Sequence, residues 1–188
     1  MSFDRPSAPP AAGPIFWLFG LSGAGKSTLS TSLVGALRDR GLPVLVLDGD
    51  ELRAGLCHGL GFSDADRAEN LRRAAEVARL GALSGLCVVA SFITPLESHR
   101  QLVTGILRQQ NLSLIHIDAP LTVCRERDVK GLYAKAQAGG VPGMTGVSSP
   151  FDAAVSAALV LHTAEETSAA SAARLLEFAL TRLPPARV

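Results

Sequence analysis

Short, unbroken apolar runs alternate along this chain with longer stretches in which apolar residues recur every three or four positions. The first run, Ile15 to Phe19 (IFWLF), is followed at once by glycine, the pattern of a strand buried on both faces. Val44 to Leu47, Leu86 to Ala90, Leu112 to Ile117 and Leu159 to Leu161 complete five predicted strands. Between them, Ser27 to Arg40 carries Leu29, Leu33 and Leu37 along one face and stops at Gly41 and Pro43. Ser63 is placed to cap a helix over Asp64 to Ser84, with Leu71, Ala75, Ala78 and Ala82 on one apolar line and Arg67, Asn70 and Arg73 off it. Pro95 to Gln110 and Ser168 to Leu183 read as two more helices. Strand and helix alternate, so the expected architecture is α/β in three layers, a mostly parallel five-stranded sheet with helices on both faces. Ligands of such sheets bind outside the carboxyl ends of the strands.

Residues 1–14 (MSFDRPSAPPAAGP) differ in kind: four prolines among small residues cannot bury a face, and there is no apolar centre of a cleavable signal. They read as a flexible tail ahead of a single domain over 15–188. Eighteen Lys and Arg against seventeen Asp and Glu leave a net charge of +1, so no bulk field draws the chain to nucleic acid, and no apolar run is long enough for a membrane span. Any anion must be captured locally. Cys57, Cys87 and Cys124 lack the spacing of a zinc site or disulfide framework, which fits a reducing compartment and points to the cytoplasm.

The local anion site is legible. Gly20-Leu21-Ser22-Gly23-Ala24-Gly25-Lys26-Ser27-Thr28 satisfies G-x-x-x-x-G-K-[ST] and stands between a predicted strand and a predicted helix. Glycines let backbone N–H groups turn inward around phosphate oxygens, and the helix start adds its positive dipole end. Lys26 would neutralise the outer phosphates and the Ser27 hydroxyl would ligate Mg²⁺ brought with ATP. The expected fold is therefore that of the P-loop nucleoside triphosphate hydrolases. Neither asparagine of the chain, Asn70 or Asn111, is followed by lysine, so the N-K-x-D guanine-reading pattern has no candidate and a small kinase is favoured.

At the end of the second strand, Leu47-Asp48-Gly49-Asp50-Glu51 places two carboxylates beside the phosphate loop. Asp48 could serve the metal through water, and Asp50 could accept the proton of an attacking hydroxyl. Phe62, Arg67 and Asn70 follow, the last two sharing a helix face. A ring to stack a base and cations to pair a phosphate make a nucleotide acceptor plausible.

The stretches GLSGAGKST (20–28), LDGD (47–50), LGFSDADRAENLRR (60–73), ASFITP (90–95), RDVKGLYAKA (127–136) and MTGVSSP (144–150) follow one another in the order and nearly the wording of adenylylsulfate kinase, which the chain resembles over about residues 15 to 183. The resemblance implies transfer of the ATP γ-phosphoryl group to the 3′-hydroxyl of adenosine 5′-phosphosulfate, with Mg²⁺, in sulfate activation, by a homodimer. It implies Asp50 near the attacking hydroxyl and Arg53, Arg67 and Asn70 on the acceptor. Phe62 matches one of two rings that sandwich the acceptor's adenine, and Ile93 and Thr94 line the acceptor. It further implies a lid near 128–146, opened by Arg127 and Asp128, with Arg127 on the ATP side, Lys130 at its base and hinges at Gly131 and Gly143.

Departures from the family's wording bear on the acceptor. Glu51 places an extra carboxylate after D-G-D, Met144 stands where the second ring is expected, and Thr94 keeps a hydroxyl where serine is usual. A thioether can pack on an adenine face, with looser geometry than a ring. Two alternatives stay open: a kinase of the same family acting on a different nucleotide or anionic alcohol, and a nucleotide-binding regulatory protein without turnover.

Overall fold

The computed structural model describes residues 11–129, 131–137 and 144–184. Its elements follow in the order β1 (Ile15–Phe19), α1 (Lys26–Arg38), β2 (Val44–Asp48), α2 (Gly49–Ala54), α3 (Asp64–Leu83), β3 (Cys87–Phe92), α4 (Glu97–Leu107), β4 (Leu112–Asp118), α5 (Leu121–Arg127), α6 (Leu132–Gln137), β5 (Leu159–His162) and α7 (Ser168–Leu180). The sheet has five strands in the order β2-β3-β1-β4-β5, paired in parallel throughout.

β1 is central, and its side chains alternate between the two faces as the strand period dictates. Phe16 and Leu18 enter one apolar cluster with Leu29, Leu33 and Leu37 of α1 and Leu175 and Ala179 of α7. Ile15, Trp17 and Phe19 enter the other, with the alanine line of α3 and with Val103 and Leu107 of α4. Every residue of β1 is fully buried, which accounts for its unbroken apolar run. The predicted cores of α1 and α3 sit where their periodicity places them. Ser63 caps α3, its Oγ accepting from the Asp66 amide at 3.1 Å.

All four predicted helices end sooner than their sequence patterns. α1 stops at Arg38, and the chain then turns through Gly41 at φ +75°. α4 begins at Glu97 instead of Pro95, because Thr94 is left-handed at φ +43° and Leu96 is extended. α7 closes at Leu180. Cys57, Cys87 and Cys124 are free thiols, all buried, and burial raises the pKa of each. Among the described residues no helix is long and apolar enough to cross a membrane.

Candidate active site

The phosphate loop connects the carboxyl end of β1 to the first residue of α1. Its backbone is dictated by glycine: a Cβ on Gly20 would lie 2.2 Å from the Ile117 carbonyl oxygen, and Gly25 starts α1 at φ +103°. The Lys26 ammonium donates to the Leu21 carbonyl at 2.8 Å, folding the side chain back over the loop. Neighbouring elements brace this loop from outside. Thr163, just after β5, donates from Oγ1 to the Ala24 carbonyl at 2.7 Å. Arg127, closing α5, donates to the Thr163 carbonyl at 2.6 Å and to the Gly23 carbonyl at 3.3 Å.

A second brace comes from α6. The Tyr133 hydroxyl donates to the Ser22 carbonyl at 2.9 Å, and burial pushes the phenol pKa up to about 12, so the donor proton is retained. α6 is held in turn by Asp128, whose carboxylate accepts from the Tyr133 and Ala134 amides at 3.0 Å each. Those backbone bonds, Tyr133's foremost, hold its carboxyl below the usual range.

Across the site, β2 ends on Asp48, whose Oδ1 accepts from the Asp50 amide at 2.9 Å and caps α2. This short helix carries Asp50 and Arg53. Arg53 donates to the Gly61 carbonyl at 2.8 Å, and its guanidinium lies 4.6 Å from the centre of the Phe62 ring. Arg67 sits 5.8 Å from the same ring and donates from Nη1 to the Thr145 hydroxyl at 3.2 Å. Burial, and then the charge of Arg53, lower the Arg67 pKa; the group stays cationic, so an anionic ligand would relieve the crowding. Asn70 is buried, and its Oδ1 has no hydrogen-bond partner among the described residues. Thr94 is only 1% exposed, and its hydroxyl accepts from the Trp17 indole N–H at 3.0 Å. Trp17 thus does more than fill the core: it anchors the loop that follows β3.

Both sides open on one cavity of about 680 Å³. Ser22, Gly23, Gly25, Lys26, Ser27, Thr28 and Arg127 line it together with Asp48, Asp50, Arg53, Phe62, Arg67, Asn70, Ile93, Thr94 and Met144. Gly20 and Ala24 support the loop from beneath; Ala24 is buried in the core. Lys130 and Gly143 lie outside the described residues. Met144 reaches the cavity but is 6% exposed and packs into the cluster that contains Tyr133, so it forms a wall and not a projecting plate. Glu51 is exposed and is not among the residues that line the cavity, whereas Asp50 and Arg53 of the same short helix are.

Sequence reasoning missed Tyr133, Thr163, Thr145 and Arg100. The first two act on backbone carbonyls of a loop more than a hundred residues away, a relation no local pattern carries. Arg100 did leave a signal, since it falls on the apolar line of α4 with Val103 and Leu107.

Ser27 and Asp48 meet at this cavity as a hydroxyl and a carboxylate, hard oxygen donors suited to Mg²⁺. Among the described residues there is no group of three or more His, Cys, Asp or Glu that could hold a metal ion.

A phosphate loop at the end of the central strand of a parallel sheet, opening onto a second, cationic wall, defines a P-loop kinase. The profile of the adenylylsulphate kinase family matches residues 12–162. An adenylyl-sulfate kinase of Shewanella amazonensis is 47% identical over 169 residues, covering 90% of this chain and 85% of its own. One from Bacteroides thetaiotaomicron is 42% identical over 90% of this chain and 84% of its own. The APS kinase of Mycobacterium tuberculosis, solved in complex with AMPPNP and APS, superposes with a TM-score of 0.87 at 40% identity, over 92% of this chain and 99% of its own. The chain belongs to the adenylylsulphate kinase family.

Proposed function

We propose that this chain transfers the γ-phosphoryl group of ATP to the 3′-hydroxyl of adenosine 5′-phosphosulfate (APS), giving 3′-phosphoadenosine 5′-phosphosulfate and ADP. The observation that carries the reading is the single cavity: the phosphate loop and the Asp50, Arg53, Phe62, Arg67 and Asn70 wall face one space, as direct transfer between two bound nucleotides requires. The structural relative solved with AMPPNP and APS supports the same pairing of ligands.

In this reading Lys26 and the amides of residues 22–28 hold the charge of the transferred group. Asp50 orients or deprotonates the acceptor hydroxyl. Arg53 and Arg67 pair the phosphosulfate, Asn70 offers its buried Oδ1, and Phe62, 58% exposed, offers a face to the adenine. Ile93 and Thr94 shape the acceptor wall, the Thr94 hydroxyl held by the Trp17 indole N–H. Met144 closes the pocket, and Arg127 with Tyr133 keeps the phosphate loop in place. Lys130 and Gly143 belong to the proposed lid near 128–146. Ser27 directly and Asp48 through water would hold Mg²⁺, which when bound neutralises β- and γ-phosphate charge.

The test is ADP release from Mg-ATP with APS, beside a panel of nucleotides bearing free 3′-hydroxyls and a no-acceptor control. Strong stimulation by APS, with the 3′-phosphorylated product identified, is expected. Stimulation by another panel member alone would transfer the acceptor to that nucleotide, and silence with ATP still bound would leave a non-catalytic binding protein.

A further inference from the structure

We propose that Arg100 is a positioning residue for the acceptor, its guanidinium locking the loop at 93–95 to the segment at 151–153 through hydrogen bonds none of which reaches the phosphate loop. Its kinetic consequence rests on the acceptor assignment made above; the lock itself does not.

Arg100 stands near the start of α4 and is 1% exposed. A guanidinium has five N–H donors, and here five hydrogen bonds leave it. Nε donates to the Glu97 carboxylate at 2.9 Å. Nη1 donates to the carbonyls of Thr94 at 3.3 Å and Pro95 at 3.1 Å. Nη2 donates to those of Asp152 at 3.3 Å and Ala153 at 2.9 Å. The cation also lies 5.4 Å from the centre of the Phe19 ring and 5.9 Å from that of Phe151. A buried charge is unfavourable unless fully paired, and this one is paired by a carboxylate, four carbonyl dipoles and two ring faces. Two further bonds join the same segments: the Asp152 amide donates to the Pro95 carbonyl at 2.9 Å, and the Glu97 amide to the Asp152 carboxylate at 2.8 Å.

Both tied segments bear on the acceptor wall. Thr94 and Pro95 line the cavity, and the other segment leads back to Met144 and Thr145, which also line it. Thr94 is a β-branched residue at φ +43°, a strained conformation that persists only when its surroundings over-determine it. Trp17 grips its side chain and Arg100 its carbonyl. None of the five Arg100 acceptors belongs to the phosphate loop or to α5 and α6. Lysine, with three donors on a point charge, cannot span the same set.

The experiment compares the full chain with Arg100→Lys, Arg100→Gln and Glu97→Gln. Hydrogen exchange without substrate is expected to show the Asp152 amide exchanging about tenfold faster or more in Arg100→Lys, with α1 amides changed less than about twofold, the mark of local release. In steady-state assays the acceptor KM is expected to rise about tenfold or more, with the ATP KM within about twofold, and Arg100→Gln to exceed Arg100→Lys. Unchanged exchange at Asp152, or equal losses on the ATP and acceptor sides, would overturn the proposal. Should neither Arg100 variant fold, Glu97→Gln decides: a roughly threefold rise in acceptor KM at fixed ATP KM supports the lock, and no change rejects it. If the unmodified enzyme itself fails to respond to APS, the acceptor assignment falls, and the exchange measurement still judges the lock.

Discussion

Lys26 and Asp50 reach one cavity from different elements, and their replacements should fail in different ways. Lys26→Ala is expected to abolish acceptor-dependent ADP release, because nothing else in the loop carries a positive charge to the phosphates. Asp50→Asn should still bind ATP but lose roughly a hundredfold or more in kcat, the scale of a general base. An unchanged kcat would remove Asp50 from the chemistry. Trp17→Phe tests the anchor of the loop that follows β3. It preserves a ring against Phe92, whose centroid lies 4.8 Å away, but removes the donor to Thr94. Leaving that buried hydroxyl short of its partner should cost about 1–3 kcal/mol in urea unfolding; wild-type stability would show that the bond contributes nothing. At this scale the sequence was readable where a local motif sets the placement: Lys26, Ser27 and Asp50 line one cavity. It was unreadable where a side chain works on distant backbone: Tyr133 on Ser22, Thr163 on Ala24, Arg100 on Asp152. Arginine on an apolar helical line was the one clue available, and it names a buried cation without naming the partners.

Among the elements, the strands and long helices follow from patterning, while the short helices α2, α5 and α6 do not. Six or seven residues hold too few turns for a 3.6-residue period to emerge, and such helices are set by their ends. For α2 the decisive group is Asp48, and for α6 it is Asp128, each spending its carboxylate on amides of the first turn. α6 matters because it carries Tyr133 onto the phosphate loop. Tyr133 is the sole tyrosine of the chain, so phenolate absorbance titrates it alone. The native midpoint is expected near 12, against about 10 in urea. Since the folded pKa is the higher one, the stabilisation is complete below about pH 10 and is lost as pH rises through about 12. A native midpoint at the ordinary value would show that the phenol is not buried. Asp128 runs the other way: its lowered pKa makes the cap complete above the ordinary carboxylate range and lost as pH falls through its folded value. Hydrogen exchange at the Tyr133 and Ala134 amides, faster in acid than intrinsic rates predict, would report that loss.

In the whole molecule, the two apolar clusters lie on opposite faces of the sheet but share β1, each taking alternate side chains of one five-residue strand. Neither cluster can melt without stripping half the burial from that strand. Trp17 fluorescence, from one cluster, and far-UV circular dichroism, dominated by helices on both faces, should therefore trace one urea transition. Mg-AMPPNP at a hundredfold excess over its Kd should move both by the same amount, about 2.7 kcal/mol, although the loop residues Leu21 and Ala24 pack into the cluster that lacks Trp17. Separated transitions would show two independently folding halves. The alternating pattern of strands and helices was enough to predict the layers and the parallel sheet, and the P-loop located the working edge. The order β2-β3-β1-β4-β5 is a property of crossovers, which no apolar run encodes.

The three buried thiols divide this molecule into districts that can be watched separately. Cys57 lies just beyond α2, Cys87 opens β3 within the sheet, and Cys124 sits in α5 against the phosphate loop. Sealed from solvent and with their pKa values raised, they react with an alkylating agent at the rate at which each neighbourhood opens. Pulsed labelling read by mass would give the native chain three clocks, and the one that ATP slows but APS does not would time the phosphate loop by itself.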